Sequence, residues 1–224
     1  MKFDAAAAPL KAELATVGFP IEGFGNTWFN FRPEHKVFIP ILIRWLPRIE
    51  NRGVRETIVR LLTDRRARPL AARPLVEEFK RIQGSESWVP YYKATVAGAV
   101  GVVADDSVFD EIAALFSDRR HGWSRAWLYP AFQRSRDPRA EHVLLKVLES
   151  SREESQAAIS KLTIRALGNR GSSKAKKLIR EFLLHSETDV RKEAGKSLDK
   201  IARAELKAAK KATVGATVLG VKRQ

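Results

Sequence analysis

Repetition at a fixed interval limits this chain more than any other feature of its sequence, because a chain that repeats must stack copies of one small unit. Ala131-Phe132-Gln133-Arg134-Ser135-Arg136-Asp137-Pro138-Arg139-Ala140 parallels Ala166-Leu167-Gly168-Asn169-Arg170-Gly171-Ser172-Ser173-Lys174-Ala175 at an offset of 35 residues. Asp105-Asp106-Ser107-Val108 occupies the same turn 32 residues before Asp137. Val54-Arg55 and Val190-Arg191 stand 136 residues apart, four steps of 34. Leu46, Phe79, Leu115, Leu148 and Leu183, each at the apolar end of a helical stretch, follow at intervals of 33, 36, 33 and 35. The period suits two short helices with their turns.

The 3.6-residue spacing of apolar positions predicts those helices. First helices are expected near 35–46, 70–82, 106–117, 138–149 and 173–185, and second helices near 53–63, 90–103, 122–134, 155–168 and 188–203. In the last of these, Val190, Ala194, Leu198 and Ile201 make an apolar stripe, while Arg191, Lys192, Lys196 and Lys200 lie off it. Asn51-Arg52-Gly53, Asp137-Pro138 and Asn169-Arg170-Gly171 punctuate the turns. Pro138 fits a helix start, whereas Pro40 is expected to kink its helix or delay it. A further helix near 5–17 reads as an N-terminal cap, and Gly18 to Phe31 as an aromatic connection. Only Val214 to Val221 hints at strand periodicity. The expected organisation is a cap over 1–31, repeats over 32–203 and a flexible basic extension over 204–224. The fold class is all-α: a right-handed α-solenoid of about five helical hairpins. In such a stack no hairpin buries its apolar face alone, and the second helices line the concave, binding side.

Several function classes are excluded by what is missing. The longest apolar run, Val37 to Ile43, is 7 residues and contains Pro40, well short of the roughly 20 that span a bilayer. The start, Met1-Lys2-Phe3-Asp4 and four alanines, lacks the apolar core of a secretory signal. No cysteine is present to form a disulfide or a thiolate site, which suits a cytoplasmic protein. The histidines, His35, His121, His142 and His185, are scattered without metal-ligand spacing. No phosphate-binding loop, dinucleotide fingerprint or nucleophile elbow occurs. No catalytic set, cofactor or metal is therefore expected. The net charge of +15 gathers late: residues 121–200 hold 17 basic and 10 acidic groups, and 201–224 hold 6 and 1. Such a field draws polyanions and acidic protein surfaces.

Asp189-Val190-Arg191, opening a second helix after a short turn, resembles the signature of HEAT-repeat proteins, and Val54-Arg55 repeats it without the aspartate. Asp137-Pro138-Arg139-Ala140 before Val143 to Leu148 resembles the short bacterial HEAT-like unit of the phycobilisome-lyase type. The resemblance covers residues 32–203. It implies a non-enzymatic scaffold that binds a protein partner on its concave face. It also implies that an arginine at the signature position hydrogen-bonds a neighbouring aspartate or a turn carbonyl. Tetratricopeptide and ankyrin signatures are absent.

Aligning the repeats gives a ladder of Arg55, Lys93, Arg125, Ser160 and Arg191, four of them basic. With Lys192 and Lys196, these are the candidate ligand-binding residues, alternatively the structural arginines of the family. Arginines and lysines also crowd the turns. Arg65, Arg66, Arg68, Arg119, Arg120, Lys174, Lys176 and Lys177 are candidate phosphate contacts that could share one edge of the stack. Together with the tail cations Lys207, Lys210, Lys211, Lys222 and Arg223 they support the alternative reading, a nucleic-acid binder. Trp123 and Trp127, four residues apart, are expected on one helical face as aromatic contacts. With Asp137 they invite comparison with HEAT-like DNA glycosylases, though no motif matches residue by residue.

Overall fold

A computed structural model of the chain describes residues 2–19, 33–153 and 157–221. These residues form eleven α-helices and seven short 3-10 helices, and among them there is no strand. No described helix is long and apolar enough to cross a membrane. The chain divides into two compact units, Met1–Asp137 and Pro138–Gln224.

Unit 1 opens with α1 (Phe3–Thr16), whose Ala7, Leu10 and Leu14 are buried. Glu13 ties it to the next helix by accepting the Trp45 indole N–H at 2.6 Å and an Arg44 N–H. Three helical pairs follow: α2 (Ile39–Trp45) with α3 (Arg52–Leu62), then α4 (Ala72–Arg81) with α5 (Val89–Val103). The third pairs α6 (Phe109–Ser117) with a 3-10 segment, Arg119–Leu128, that leads into α7 (Tyr129–Arg134). Pro40 does delay its helix: a 3-10 turn, Pro33–Phe38, comes first, and Pro40 then sits in the first turn of α2, where no partner for an N–H is lost. Asn51 starts α3 by accepting the Val54 N–H at 3.2 Å. The second helix expected over 122–134 is broken. Gly122 adopts φ 58°, which ends the turn before it, and Pro130 cannot donate backward at the start of α7. The core is built on Phe79, Phe116 and Phe132, with the Phe116 and Phe132 rings 4.9 Å apart. Pro130 and the Trp127 carbonyl come so near Gly101 that a Cβ there would lie 2.9 Å from each.

Unit 2 holds two pairs, α8 (Arg139–Ser150) with α9 (Ala157–Arg170), and α10 (Lys176–Glu181) with α11 (Thr188–Val221). α9 ends at Gly171, whose φ of 68° lets the chain turn. Val190, Ala194 and Ile201 are fully buried on α11, as the apolar stripe predicts, and each Val or Ile contributes about 1.5–3 kcal/mol. α9 and α11 meet backbone to backbone, since a Cβ on Gly168 would stand 2.5 Å from Ser197 Cβ. α11 runs through the segment that hinted at strand and continues to Val221. The all-α class is thus observed, and the ten expected helices fall on the observed ones within a few residues, apart from the break in the third pair and the longer α11. Most of the Gly18 to Phe31 connection and residues 222–224 lie outside the described residues.

Candidate functional site

The ladder position has one recurring use: its side chain faces the end of the preceding first helix. There the last carbonyls have no partner within the helix, and a cation or hydroxyl can satisfy them. Lys93 of α5 donates to the Ile82 carbonyl after α4 at 3.1 Å. Arg125 donates to the Phe116 carbonyl at the end of α6. Ser160 of α9 meets Ser151 Oγ at 2.8 Å, and Ser151 donates to Leu148 O of α8, also at 2.8 Å. Arg191 of α11 donates to the carbonyls of His185 and Ser186 at 2.7 and 2.6 Å, and to Thr188 Oγ1. Arg125 is 0% exposed and Lys93 7%, so these two rungs are turned inward where a ligand stripe would need them outside, while Arg55 and Arg191 are half-buried. Burial holds the Lys93 ammonium below its ordinary pKa, countered by Asp118. Lys93 also faces the Phe79 ring at 5.1 Å.

The first rung departs from this pattern and exposes a residue that sequence reasoning missed. Arg55 of α3 reaches the carboxylate of Glu78 on α4, which is 3% exposed. The same carboxylate accepts the Tyr92 hydroxyl of α5 at 2.7 Å and an Arg81 N–H at 2.6 Å. Arg81 in turn donates to Leu46 O and Pro47 O, the open end of α2. One buried carboxylate therefore joins four helices. Burial, with the Glu78 charge, pushes the Tyr92 phenol far above its ordinary range. The sequence signal was present: Glu78 lies beside Leu75, Val76 and Phe79 on the apolar side of α4, where a carboxylate needs a partner.

The turn cations do not share an edge. Arg68 lies in the connection between the first two pairs and donates to Val102 O at the end of α5, where Arg134 also reaches Gly101 O and Val102 O. Arg119 and Arg120 lie at the other end, inside the third pair, beside the start of α5. The 15 residues of α5 separate these ends by about 22 Å. Arg66 bonds Asp64, and Arg120 bonds Asp118 through its side chain and its backbone N–H. Those bonds hold the Asp118 carboxyl down at about 2 against the opposing effect of burial. In unit 2, Lys174 pairs with Glu141 and Lys176 with Glu205. Arg65, Arg119 and Lys177 are exposed, and Lys177 lines a groove of about 630 Å³ between α8 and α10 that carries both charge signs. Lys192 and Lys196 are exposed on α11.

Trp123 and Trp127 do not share one helical face. They stand in a 3-10 segment, where three residues make a turn and a four-residue step rotates by about 120°. Trp123 is half-buried with its ring edge-on to Tyr91 at 5.5 Å, and Trp127 is 43% exposed. Asp137 follows the far end of α7, at least about 17 Å along the axis from Trp123, so the aspartate and that aromatic are not brought together. Instead, the aromatic groups gather around the start of α5. Arg52 of α3 stacks over Trp88 at 4.8 Å, and Tyr91, one turn later, is 68% exposed beside Trp123. Pro90, Tyr91, Ala94, Thr95, Gly98 and Val102 make up one solvent-reaching face of α5, and none of them is charged. Among the described residues no group of three His, Asp or Glu side chains could hold a metal ion. Compared with known proteins, the sequence matches no family model and no curated relative.

Proposed function

We propose that the chain is a HEAT-like repeat protein that acts as a scaffold, holding a protein partner on the aromatic face of the second helices of unit 1. The observation that carries this reading is the cluster of exposed Tyr91 with half-buried Trp88 and Trp123, bordered by Arg52 and continued along the uncharged face of α5. Large aromatics and arginine are the residues that concentrate binding energy at protein interfaces, and an uncharged centre lowers the cost of removing water. The repeat assignment is supported by the 34-residue period and by the ladder contact that recurs in four of the five pairs.

A photo-crosslinking amino acid placed at Tyr91 tests it. Irradiation in cells of the source organism is expected to give one adduct of discrete mass. The adduct should be absent with the crosslinker at Lys36, and lost when Trp123→Ala is added. No adduct, or the same set of adducts from both positions, would sink the reading.

A further inference from the structure

Unit 2 carries its charge outward, and α11 arranges it. Lys192, Lys196, Lys200, Arg203, Lys207 and Lys210 are all exposed, at successive steps of 4, 4, 3, 4 and 3 residues. At about 100° per residue those steps keep all six within roughly 80° of arc, and the rise from Lys192 to Lys210 is about 27 Å. The acidic residues of α11 are mostly engaged elsewhere. Asp189 bonds Lys161 at 2.6 Å, Glu193 is buried against Arg165, and Glu205 pairs with Lys176. Asp199 stands at one edge of the stripe, and the exposed Asp189 at its N-terminal end. Midway along it the turn after α9 makes a depression of about 330 Å³, lined by Asn169, Arg170, Lys200 and Arg203 and by no carboxylate. Lys200 is steadied there by Asn169 Oδ1 at 2.7 Å.

We propose that this face of α11, with the Asn169–Gly171 turn, binds the phosphate backbone of duplex nucleic acid without regard to sequence. A straight row of six cations matches a linear polyanion, since a duplex offers one negative charge per ~1.7 Å and always brings a phosphate within reach of each side chain. The three-cation depression is a seat for one phosphate at the centre of the row. Single strands are held by stacking bases on aromatic rings, and residues 138–224 contain no Trp or Tyr and one Phe, Phe182, which is buried. No Asn or Gln stands on the stripe to read base edges. A surface-bound helix would need a broad apolar face beside its cations, and among the described side chains of α11 the one exposed large apolar group is Leu206. This inference is separate from the aromatic face of unit 1 and stands or falls without it.

The test is binding of the full chain to a labelled duplex of mixed sequence, measured by fluorescence anisotropy across 50–300 mM salt. Six phosphate contacts give a slope of log affinity against log salt of about −5. The triple variant Lys196→Gln, Arg203→Gln, Lys207→Gln should lower the slope by about 3 and weaken binding at least tenfold at 100 mM salt. The equal charge change Lys146→Gln, Lys177→Gln, Arg180→Gln, placed on α8 and α10, should leave both within about twofold. Circular dichroism confirms that each variant is folded. Equal losses from the two triples would overturn the inference, as would the absence of duplex binding at 50 mM salt. So would a tenfold preference for single strands, or binding confined to anionic phospholipid vesicles.

Discussion

The two units spend their charged residues in opposite ways. Unit 1 has 21 basic and 16 acidic residues over 137 positions, and its key cations are held by partners of its own: Arg125 and Lys93 buried onto helix ends, the half-buried Arg55 and the exposed Arg81 onto Glu78. Unit 2 has 20 basic and 10 acidic residues over 87 positions, and its excess stands outside on α11. The interior of unit 2 is closed by small residues, with Gly168 against Ser197. Net charge alone would assign ligand binding to any basic stretch. The comparison shows that the depth of a cation matters more than its number, because a guanidinium buried against a carbonyl lies out of a ligand's reach whatever donors it retains.

The largest effects are therefore expected inside unit 1. Glu78→Ala leaves the guanidinium groups of Arg55 and Arg81 without their shared carboxylate, and breaking such a buried set costs about 3–5 kcal/mol. All five tryptophans and all three tyrosines lie in residues 1–137, so tryptophan fluorescence during urea unfolding reports this unit selectively. A loss below about 1 kcal/mol would show that the carboxylate is not the joint of the four helices. Arg125→Ala, which empties a fully buried position and strips the Phe116 carbonyl of its partner, should cost about 3 kcal/mol in the same measurement.

In unit 2 the expected weak point is packing rather than charge. Gly168→Ala puts a methyl group 2.5 Å from Ser197 Cβ and 2.8 Å from its Cα, so the backbones of α9 and α11 must separate. The cost is about 1–3 kcal/mol, read as a lower midpoint in circular dichroism. Ser197→Gly in the same chain should recover part of it, a coupling that a merely reduced helix propensity at position 168 would not produce.

Legibility followed the same division. The helices were readable because a 3.6-residue apolar stripe is a local pattern, as Val190, Ala194 and Ile201 show on α11. The ladder was readable as a position but not as a direction. Arg125 and Lys192 are both basic residues of second helices, and only the packing of neighbouring elements puts one inside and the other outside. Glu78 escaped notice because its partners come from α3 and α5, at separations of 23 and 14 residues that no local pattern encodes. The spacing of Trp123 and Trp127 misled for a local reason: Gly122 breaks the helix, and a four-residue step has a different meaning in a 3-10 segment. The aromatic cluster drew Trp88, Tyr91 and Arg52 from two separate repeats, and only the fold assembles them.

A smaller effect is expected from Asp118, whose carboxyl the Arg120 side chain and backbone N–H hold at about 2, below the unfolded value near 3.9. Because the folded value is the lower one, its stabilisation is complete above about pH 4 and fades as pH falls toward 2. The stability difference between the wild type and Asp118→Asn should therefore shrink from pH 5 to pH 2.5 in fluorescence-detected urea unfolding. A difference that stays constant would mean that the carboxylate charge contributes nothing.

The smallest expected effect separates surface from core most directly. Tyr91 is 68% exposed and touches its surroundings chiefly through the edge-on ring of Trp123, so Tyr91→Ala should cost about 0.5 kcal/mol and no more than about 1. A core tyrosine would lose several times as much. Tyr92, its neighbour in sequence, is the internal control: it is 3% exposed and donates to Glu78, and Tyr92→Ala should cost at least about 3 kcal/mol. If the two substitutions proved equally destabilising, Tyr91 would belong to the packing of α5. The aromatic face would then have no free surface to offer a partner.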